Sequence, residues 1–362
     1  MAKIRVLVVD DSVVIRRMLT DILNEDAEIE VVGTAPNGRI AIAKLPHLNP
    51  DLVTLDIEMP ELDGLGTLPE LRKAFPKLPV IMFSTLTERG AVATFDALTL
   101  GATDYVAKPA NVGSVQAGMQ SVREQLIPKI KSLCLRPETR RSDALPANRS
   151  PTPPKAVATG RFPTRCEGVV IGCSTGGPQA LAMLLGALPA TFPVGITVVQ
   201  HMPPIFTHHL AKRLNQECAL EVLEASQGDV VRPGRVLIAP GDHHLEVRRQ
   251  GVALKCVLQQ EAPENSCRPA VDVLFRSAAA TYGAGCLGVV LTGMGQDGLR
   301  GSRRLVEQGG TIIAQDQASS VVWGMPRAVA DAGIARHILP LKSIADELLR
   351  LVNVGRRTAV TV

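Results

Sequence analysis

Aromatic residues are scarce in this chain: one Trp, two Tyr and seven Phe among 362 residues, 3% of the total. That is too few for a stacking surface on single-stranded nucleic acid, which takes successive rings along a basic groove. Long apolar runs are missing too. None reaches the ~18 residues that a membrane span needs, and Met1-Ala2-Lys3-Ile4-Arg5 leads into a strand pattern rather than a secretory leader. The seven cysteines contain no C-x-x-C pair. This excludes the usual structural zinc spacing, and their odd number argues against a disulfide framework. Reduced thiols and no leader predict a cytoplasmic protein without membrane insertion. No internal repeat is present.

What remains is ordinary globular composition, 46% hydrophobic and 20% charged, long enough for two or three domains with their own cores. The net charge of +4 is unevenly spread. Residues 129–165 hold nine Lys or Arg against Glu138 and Asp143, so this stretch carries +7 and the rest of the chain −3. The same stretch contains Pro137, Pro146, Pro151, Pro153, Pro154 and Pro163 with few large apolar residues. Such composition cannot bury enough surface to offset its ordering entropy. We read it as a solvated linker rather than a nucleic-acid arm. The chain therefore divides into 1–125, a linker at 126–164, and 165–352, with a frayed tail over 356–362.

In the first division, apolar runs end in polar residues. Ile4–Val9 ends in Asp10-Asp11, Leu52–Leu55 in Asp56, Val80–Phe83 in Ser84-Thr85, and Thr103–Ala107 in Lys108-Pro109. Helical spacing follows the first run through Val14, Met18, Leu19, Ile22 and Leu23. Strands alternating with helices predict a parallel sheet, with ligands beyond the carboxyl ends of its strands. Three carboxylates there need a counter-charge, and an all-oxygen set suits Mg²⁺. A carboxylate can accept a phosphoryl group covalently, and Asp56 is the central candidate. Asp10 and Asp11 would also serve as strand-end or capping residues, although four such placements in order favour a site.

In the last division, strands are predicted at Gly168–Ile171, Gly195–Val199, Arg235–Ala239, Leu287–Leu291 and Thr311–Ala314. The first leads into Gly172-Cys173-Ser174-Thr175-Gly176-Gly177, followed by a helix pattern from Pro178. This strand–turn–helix exposes a hydroxyl beside a helix N-terminus and fits G-x-S-x-G, but also a tight turn or a phosphate-cradling loop. A serine nucleophile needs an imidazole to take its proton, and the imidazole needs a carboxylate to orient it. His201, after the second strand, and Asp297, after the fourth, supply both. Asp297 alone would equally cap a helix over Leu299–Glu307. Gly293-Met294-Gly295 offers backbone N–H groups to an oxyanion. Cys173 should point away from the centre. His208-His209 and His243-His244 lack partners at zinc spacing, Asp316 ends another strand, and Trp323 is rim or packing. A phosphate-loop nucleotide binder is disfavoured because no Lys-Ser/Thr ends the glycine turn. A DNA-binding effector is disfavoured because no basic recognition helix follows the linker.

The first division resembles the response-regulator receiver over residues 3–122, on Val9-Asp10-Asp11-Ser12, Asp56-Ile57-Glu58-Met59-Pro60, Asp63-Gly64, Ser84 and Lys108-Pro109. The resemblance implies a flavodoxin-like, doubly wound parallel sheet and phosphorylation of Asp56 by a histidine kinase. It also implies Mg²⁺ held by Asp11, Asp56 and the Glu58 backbone carbonyl with Asp10 acting through water, and phosphoryl contacts from Ser84 and Lys108. It further implies a switch aromatic at Tyr105 and a cis bond at Lys108-Pro109.

The last division resembles the chemotaxis-type protein-glutamate methylesterase and glutamine deamidase family. The matching motifs are Ile171–Pro178, Gln200-His201-Met202-Pro203 and Thr292–Gly298, with Ala314-Gln315-Asp316 and Gly324-Met325-Pro326. The order Ser…His…Asp departs from α/β-hydrolases. The resemblance implies a doubly wound α/β methylesterase domain without its own cofactor, catalytic Ser174, His201 and Asp297, and oxyanion donors at Thr175 and Met294. It implies methyl-accepting chemoreceptors as substrates, no nucleic acid, and hydrolysis held back until Asp56 is phosphorylated.

Overall fold

The computed structural model describes residues 2–109, 115–134 and 165–354. They form two compact units, divided after Arg136.

In the first unit, β1 (Ile4–Val9), β2 (Ile29–Ala35), β3 (Leu52–Asp56), β4 (Val80–Ser84) and β5 (Asp104–Ala107) form a parallel sheet. Their order is β2-β1-β3-β4-β5, the flavodoxin-like arrangement. The connecting helices are α1 (Val13–Asn24), α2 (Gly38–Leu48), α3 (Gly64–Ala74), α4 (Glu88–Thr99) and α5 (Val115–Cys134). Polar caps fix where four of them begin: Ser12, Asn37, Asp63 and Thr87 each accept a first-turn backbone N–H. Ser12, not Asp10 or Asp11, caps α1, while Asp10 Oδ1 accepts from Ser12 N at 2.9 Å. One core joins Val6, Val8, Ile81 and Phe83 of the sheet to Leu19, Ile22 and Leu23 of α1 and Val122, Leu126 and Ile130 of α5.

That core corrects the expected domain boundary at 125. Leu126 and Ile130 are fully buried on the same stripe as Val122, so α5 continues through Cys134. The basic charge counted from residue 129 onward suggested a linker, but Lys129 pairs with the buried Asp104, and Lys131 with Asp26 and Glu28. The rest of the expected linker, 135–164, and the tail lie outside the described residues.

In the second unit, the strands are β6 (Gly168–Cys173), β7 (Gly195–Gln200), β8 (Glu221–Glu224), β9 (Arg235–Ile238), β10 (His244–Gln250), β11 (Ala253–Gln259), β12 (Cys286–Val290), β13 (Thr311–Gln315) and β14 (His337–Leu339). The helices are α6 (Gly177–Gly186), α7 (Pro204–Glu217), α8 (Val271–Tyr282), α9 (Leu299–Glu307), α10 (Met325–Asp331) and α11 (Leu341–Asn353). Among the described residues a seven-stranded parallel sheet runs β14-β13-β12-β6-β7-β9-β8, with β10 and β11 forming a separate antiparallel hairpin. Its apolar side, Leu245, Val247 and Cys256, packs with Leu274, Phe275 and Ala278 of α8. The sequence did not mark β8, β14 or this hairpin.

From β6 the chain builds outward through β7 in one direction and later returns to add β12 on the other side. The carboxyl ends of β6 and β12 therefore meet at a topological switch point, where sheets of this kind open a crevice.

Candidate active site

Three neighbouring strands deliver the centre. Cys173 of β6 faces Gln200 of β7 in register, and His201 N donates to Cys173 O at 3.2 Å. Ser174 and His201 are thus each the first residue past paired strand ends. On the other side, Ser174 N donates to Thr292 O at 3.0 Å, joining the serine turn to the loop after β12. Gln200, buried between them, donates from Nε2 to Ser174 O at 3.0 Å and to His201 O at 3.1 Å. Gly293 comes so close that a Cβ there would lie 3.0 Å from Ser174 Cβ and 2.4 Å from Met325 Sδ. Only glycine allows that approach. Thr175 is buried and Met294 half-buried in the same two loops, and Thr292 Oγ1 donates to Thr175 O at 2.9 Å.

His201 Nε2 lies 2.7 Å from Asp297 Oδ2. Burial alone would depress the His201 pKa. The Asp297 carboxylate reverses this and holds it well above the usual imidazole value. Asp297 is itself buried, which works to raise its pKa, yet the His201 bond and backbone donors hold it below the carboxylate norm. Those donors come from an unexpected helix. The N-cap of α9 is Gly298, not Asp297, the alternative the sequence leaves open. α8, whose own cap Ala270 has no polar side chain, instead aims Val271 N and Asp272 N at Asp297, at 2.7 and 3.0 Å. The positive end of α8 thus stabilises the carboxylate that orients His201.

The other candidates are structural. The Cys173 thiol is fully buried with its pKa pushed up by desolvation, and it points at Gln200 Oε1, 3.1 Å away. His244 is buried, its Nδ1 accepting from Ala270 N, and His208 pairs with Glu224 on the surface. Asp316 closes a turn on Ser319, and Trp323 Nε1 donates to Gln315 O. Asn265, which touches Asp297, carried no motif in the sequence.

The first unit gathers its predicted residues at the carboxyl edge of its sheet. Asp10 and Asp56 are buried and share Lys108, whose Nζ lies 3.0 and 2.8 Å from them. Asp11 is exposed beside them, and ligand oxygens of the three carboxylates lie within 4.8 Å of one another. Burial pushes the Asp56 carboxyl up to about 6 despite Lys108. A cavity of about 240 Å³ is lined by Asp11, Asp56, Glu58, Ser84 and Lys108 among others. Ser84 is buried with Oγ donating to Gly90 O at 3.1 Å, and the Glu58 side chain turns to Arg89. Tyr105 is buried, its ring 5.3 Å from Lys129 Nζ. Among the described residues the cis peptide bond is Arg268–Pro269, so the expected one at Lys108–Pro109 is not found. The trans form is the lower-energy isomer of an X–Pro bond.

Residues 169–348 match the family described as CheB methylesterase, and residues 6–119 match the response regulator receiver domain. A protein-glutamate methylesterase/protein-glutamine glutaminase of Trichodesmium erythraeum is 53% identical over 352 residues, spanning 97% of this chain and 100% of its own. One of a Nocardioides species is 56% identical over 354 residues, spanning 97% and 96%. The crystal structure of the Thermotoga maritima CheB methylesterase catalytic domain is 45% identical, covering 52% of this chain and 99% of that one at a TM-score of 0.51.

Proposed function

The chain belongs to the receiver-linked protein-glutamate methylesterase/protein-glutamine glutaminase family, and from this we propose that Ser174, His201 and Asp297 form its hydrolytic centre. The protein is a response regulator of chemotactic adaptation. It hydrolyses glutamate methyl esters to glutamate and methanol, and deamidates glutamines with release of ammonia. The observation that carries the assignment of residues is the 2.7 Å bond from His201 Nε2 to Asp297 Oδ2 beside the β6–β12 switch point.

With Nε2 committed to Asp297, the chemistry falls to Nδ1. Ser174 Oγ attacks the ester carbonyl while His201 Nδ1 takes the hydroxyl proton. The raised His201 pKa suits the imidazolium that forms, and the α8-stabilised Asp297 keeps its charge through the step. Backbone N–H groups of Thr175 and Met294 receive the oxyanion. The proton passes to the departing methoxide, and water, activated by the same nitrogen, frees the carboxylate from Ser174. A glutamine follows the same route with ammonia as leaving group.

Phosphorylation of the receiver activates the enzyme. Asp56 accepts the phosphoryl group from a histidine kinase, and Lys108 and Ser84 contact its oxygens. The all-oxygen set of Asp10, Asp11 and Asp56 fits Mg²⁺, with Glu58 adding its carbonyl. When bound, the ion neutralises this crowded negative charge. The substrates are the cytoplasmic glutamates and glutamines of methyl-accepting chemoreceptors. Among the described residues no helix is long and apolar enough to cross a membrane, and the enzyme works in the cytoplasm on the receptors' cytoplasmic helices. The receiver ends with α5, the catalytic domain begins near residue 165, and a basic segment joins them. No nucleic acid takes part.

The test is methanol release from methylated chemoreceptor membranes. Wild type plus a small-molecule phosphodonor should release methanol and Ser174→Ala should release none. Retention of the rate in Ser174→Ala would remove the nucleophile from this reading.

A further inference from the structure

Asp297 accepts more hydrogen bonds than His201 and α8 provide, and one of them comes from outside the sheet. Between β11 and α8 the chain turns tightly at Glu264-Asn265-Ser266-Cys267. The turn is closed by Glu264 N to Cys267 O at 3.0 Å and Cys267 N to Glu264 O at 2.9 Å. Both central residues are left-handed, Asn265 at φ 53° and Ser266 at φ 61°. This is the conformation of a type I′ turn, whose second central position favours glycine. Asparagine visits it readily, but serine does so at a cost. The turn is also tied down, for both Glu264 carboxylate oxygens meet Arg276 of α8 at 2.7 Å.

Asn265 is exposed, yet its side-chain amide reaches two buried carboxylates. Nδ2 donates to Asp297 Oδ1 at 2.8 Å and to Asp272 Oδ2 at 3.0 Å. Both amide hydrogens are used, each on a different buried carboxylate. Asp272 is otherwise satisfied by Gly301 N at 2.6 Å, and burial together with the Asp297 charge pushes its carboxyl up. The amide is therefore the one side-chain donor, among the described residues, that separates these two like charges. It shares Oδ1 of Asp297 with Asp272 N and Gly298 N, and is the one side-chain donor among those that hold Oδ2 toward His201.

We propose that Asn265 is a positioning residue for hydrolysis, its amide completing the set of donors that holds the Asp297 carboxylate with Oδ2 presented to His201 Nε2. This rests on the reading of Ser174, His201 and Asp297 given above. The strained turn is explained by it: an anchored left-handed turn is what carries an exposed loop residue to a buried carboxylate.

Asn265→Gly tests this in the full-length protein, since glycine keeps the left-handed backbone and removes only the amide. We expect kcat for methanol release to fall about 10–100-fold, the range for one hydrogen bond to a charged group, with KM within about threefold. The rising limb of the kcat/KM–pH profile should move to higher pH, because a carboxylate with one donor fewer holds the His201 imidazolium more tightly. A merely structural turn would lower the thermal midpoint and leave that limb in place. Ser266→Gly, which relaxes the turn and keeps the amide, should retain the rate. Should Asn265→Gly not fold, Asn265→Asp decides: it aims a third carboxylate at the other two, so its kcat as a fraction of wild type at the same pH should drop at pH 8 and recover as the pH is lowered. A rate within about threefold of wild type in the deciding variant, with the pH limb unmoved, overturns the proposal. If Ser174→Ala is dead in the same assay, that failure concerns Asn265 alone; if Ser174→Ala is active, the hydrolytic centre itself is misassigned.

Discussion

Replacing Asp297 by asparagine changes few atoms, but it places an amide among donors only. Oδ2 accepts from His201 Nε2 and Val271 N, both at 2.7 Å. Oδ1 accepts from Asn265 Nδ2, Asp272 N and Gly298 N at 2.8, 3.0 and 2.9 Å. An asparagine has one acceptor oxygen, and the less costly choice puts it where Oδ1 was. Its NH₂ then faces Val271 N–H and the imidazole. Val271 loses its acceptor, at about 1–3 kcal/mol of stability. His201 responds by turning its Nε2 lone pair toward the new amide, which moves the ring proton to Nδ1. Nδ1 is the nitrogen that should take the Ser174 proton, so the base arrives already protonated. The wrong tautomer in a Ser-His-Asp centre costs roughly 10⁴-fold in kcat, or about 5.5 kcal/mol of barrier. The lost charge also lets His201 titrate at lower pH, so the rising limb of the profile should shift down while the plateau collapses. Methanol release from methylated receptor membranes, followed from pH 5 to 9 beside thermal unfolding, reads both effects. A kcat within tenfold of wild type, or a limb that stays in place, would refute the tautomer argument.

Two further outcomes follow from the first unit. Asp56 titrates near 6 when folded against 3.8 for the free side chain, so its neutral form is favoured by folding. The stability it lends is full below about 4 and lost as the pH rises through 6, leaving a cost of up to about 3 kcal/mol at neutral pH. Asp56→Asn should therefore melt at higher temperature than wild type above pH 6 without Mg²⁺, and no differently near pH 4; adding Mg²⁺, which relieves only the wild type, should narrow the gap. A difference independent of pH would show that burial of the Asp56 charge is not what matters. Ile130→Ala, inside the stretch whose composition suggested a linker, should cost about 2–5 kcal/mol because Ile130 is fully buried. A melting curve of the variant matching wild type would put α5 outside the core.

The legible part of this protein is what a strand end can display. Asp10, Asp56, Ser84 and Lys108 each close an apolar run, and so does Ser174, which made these candidate residues readable without coordinates. The 126–134 stretch misled because its two lysines and Pro128 run straight into the basic, proline-rich segment that follows, while the apolar stripe of Val122, Leu126 and Ile130 continues the helix through it. The hairpin of β10 and β11 went unmarked because its apolar alternation is short and crowded by arginines.

The sequence by itself determined which side chains could do the chemistry and in which order they leave their strands, because alternation, glycine turns and caps are local properties. Only the tertiary structure decided that β12 inserts beside β6 rather than at the sheet edge, which brings Asp297 across to His201 from a strand many residues away. The same packing aimed the N-terminus of α8 at Asp297 and swung Asn265 in over it. Those partners belong to no shared motif, since hydrogen bonds between distant segments leave no periodic trace along the chain. They follow from the closing of the sheet around its switch point.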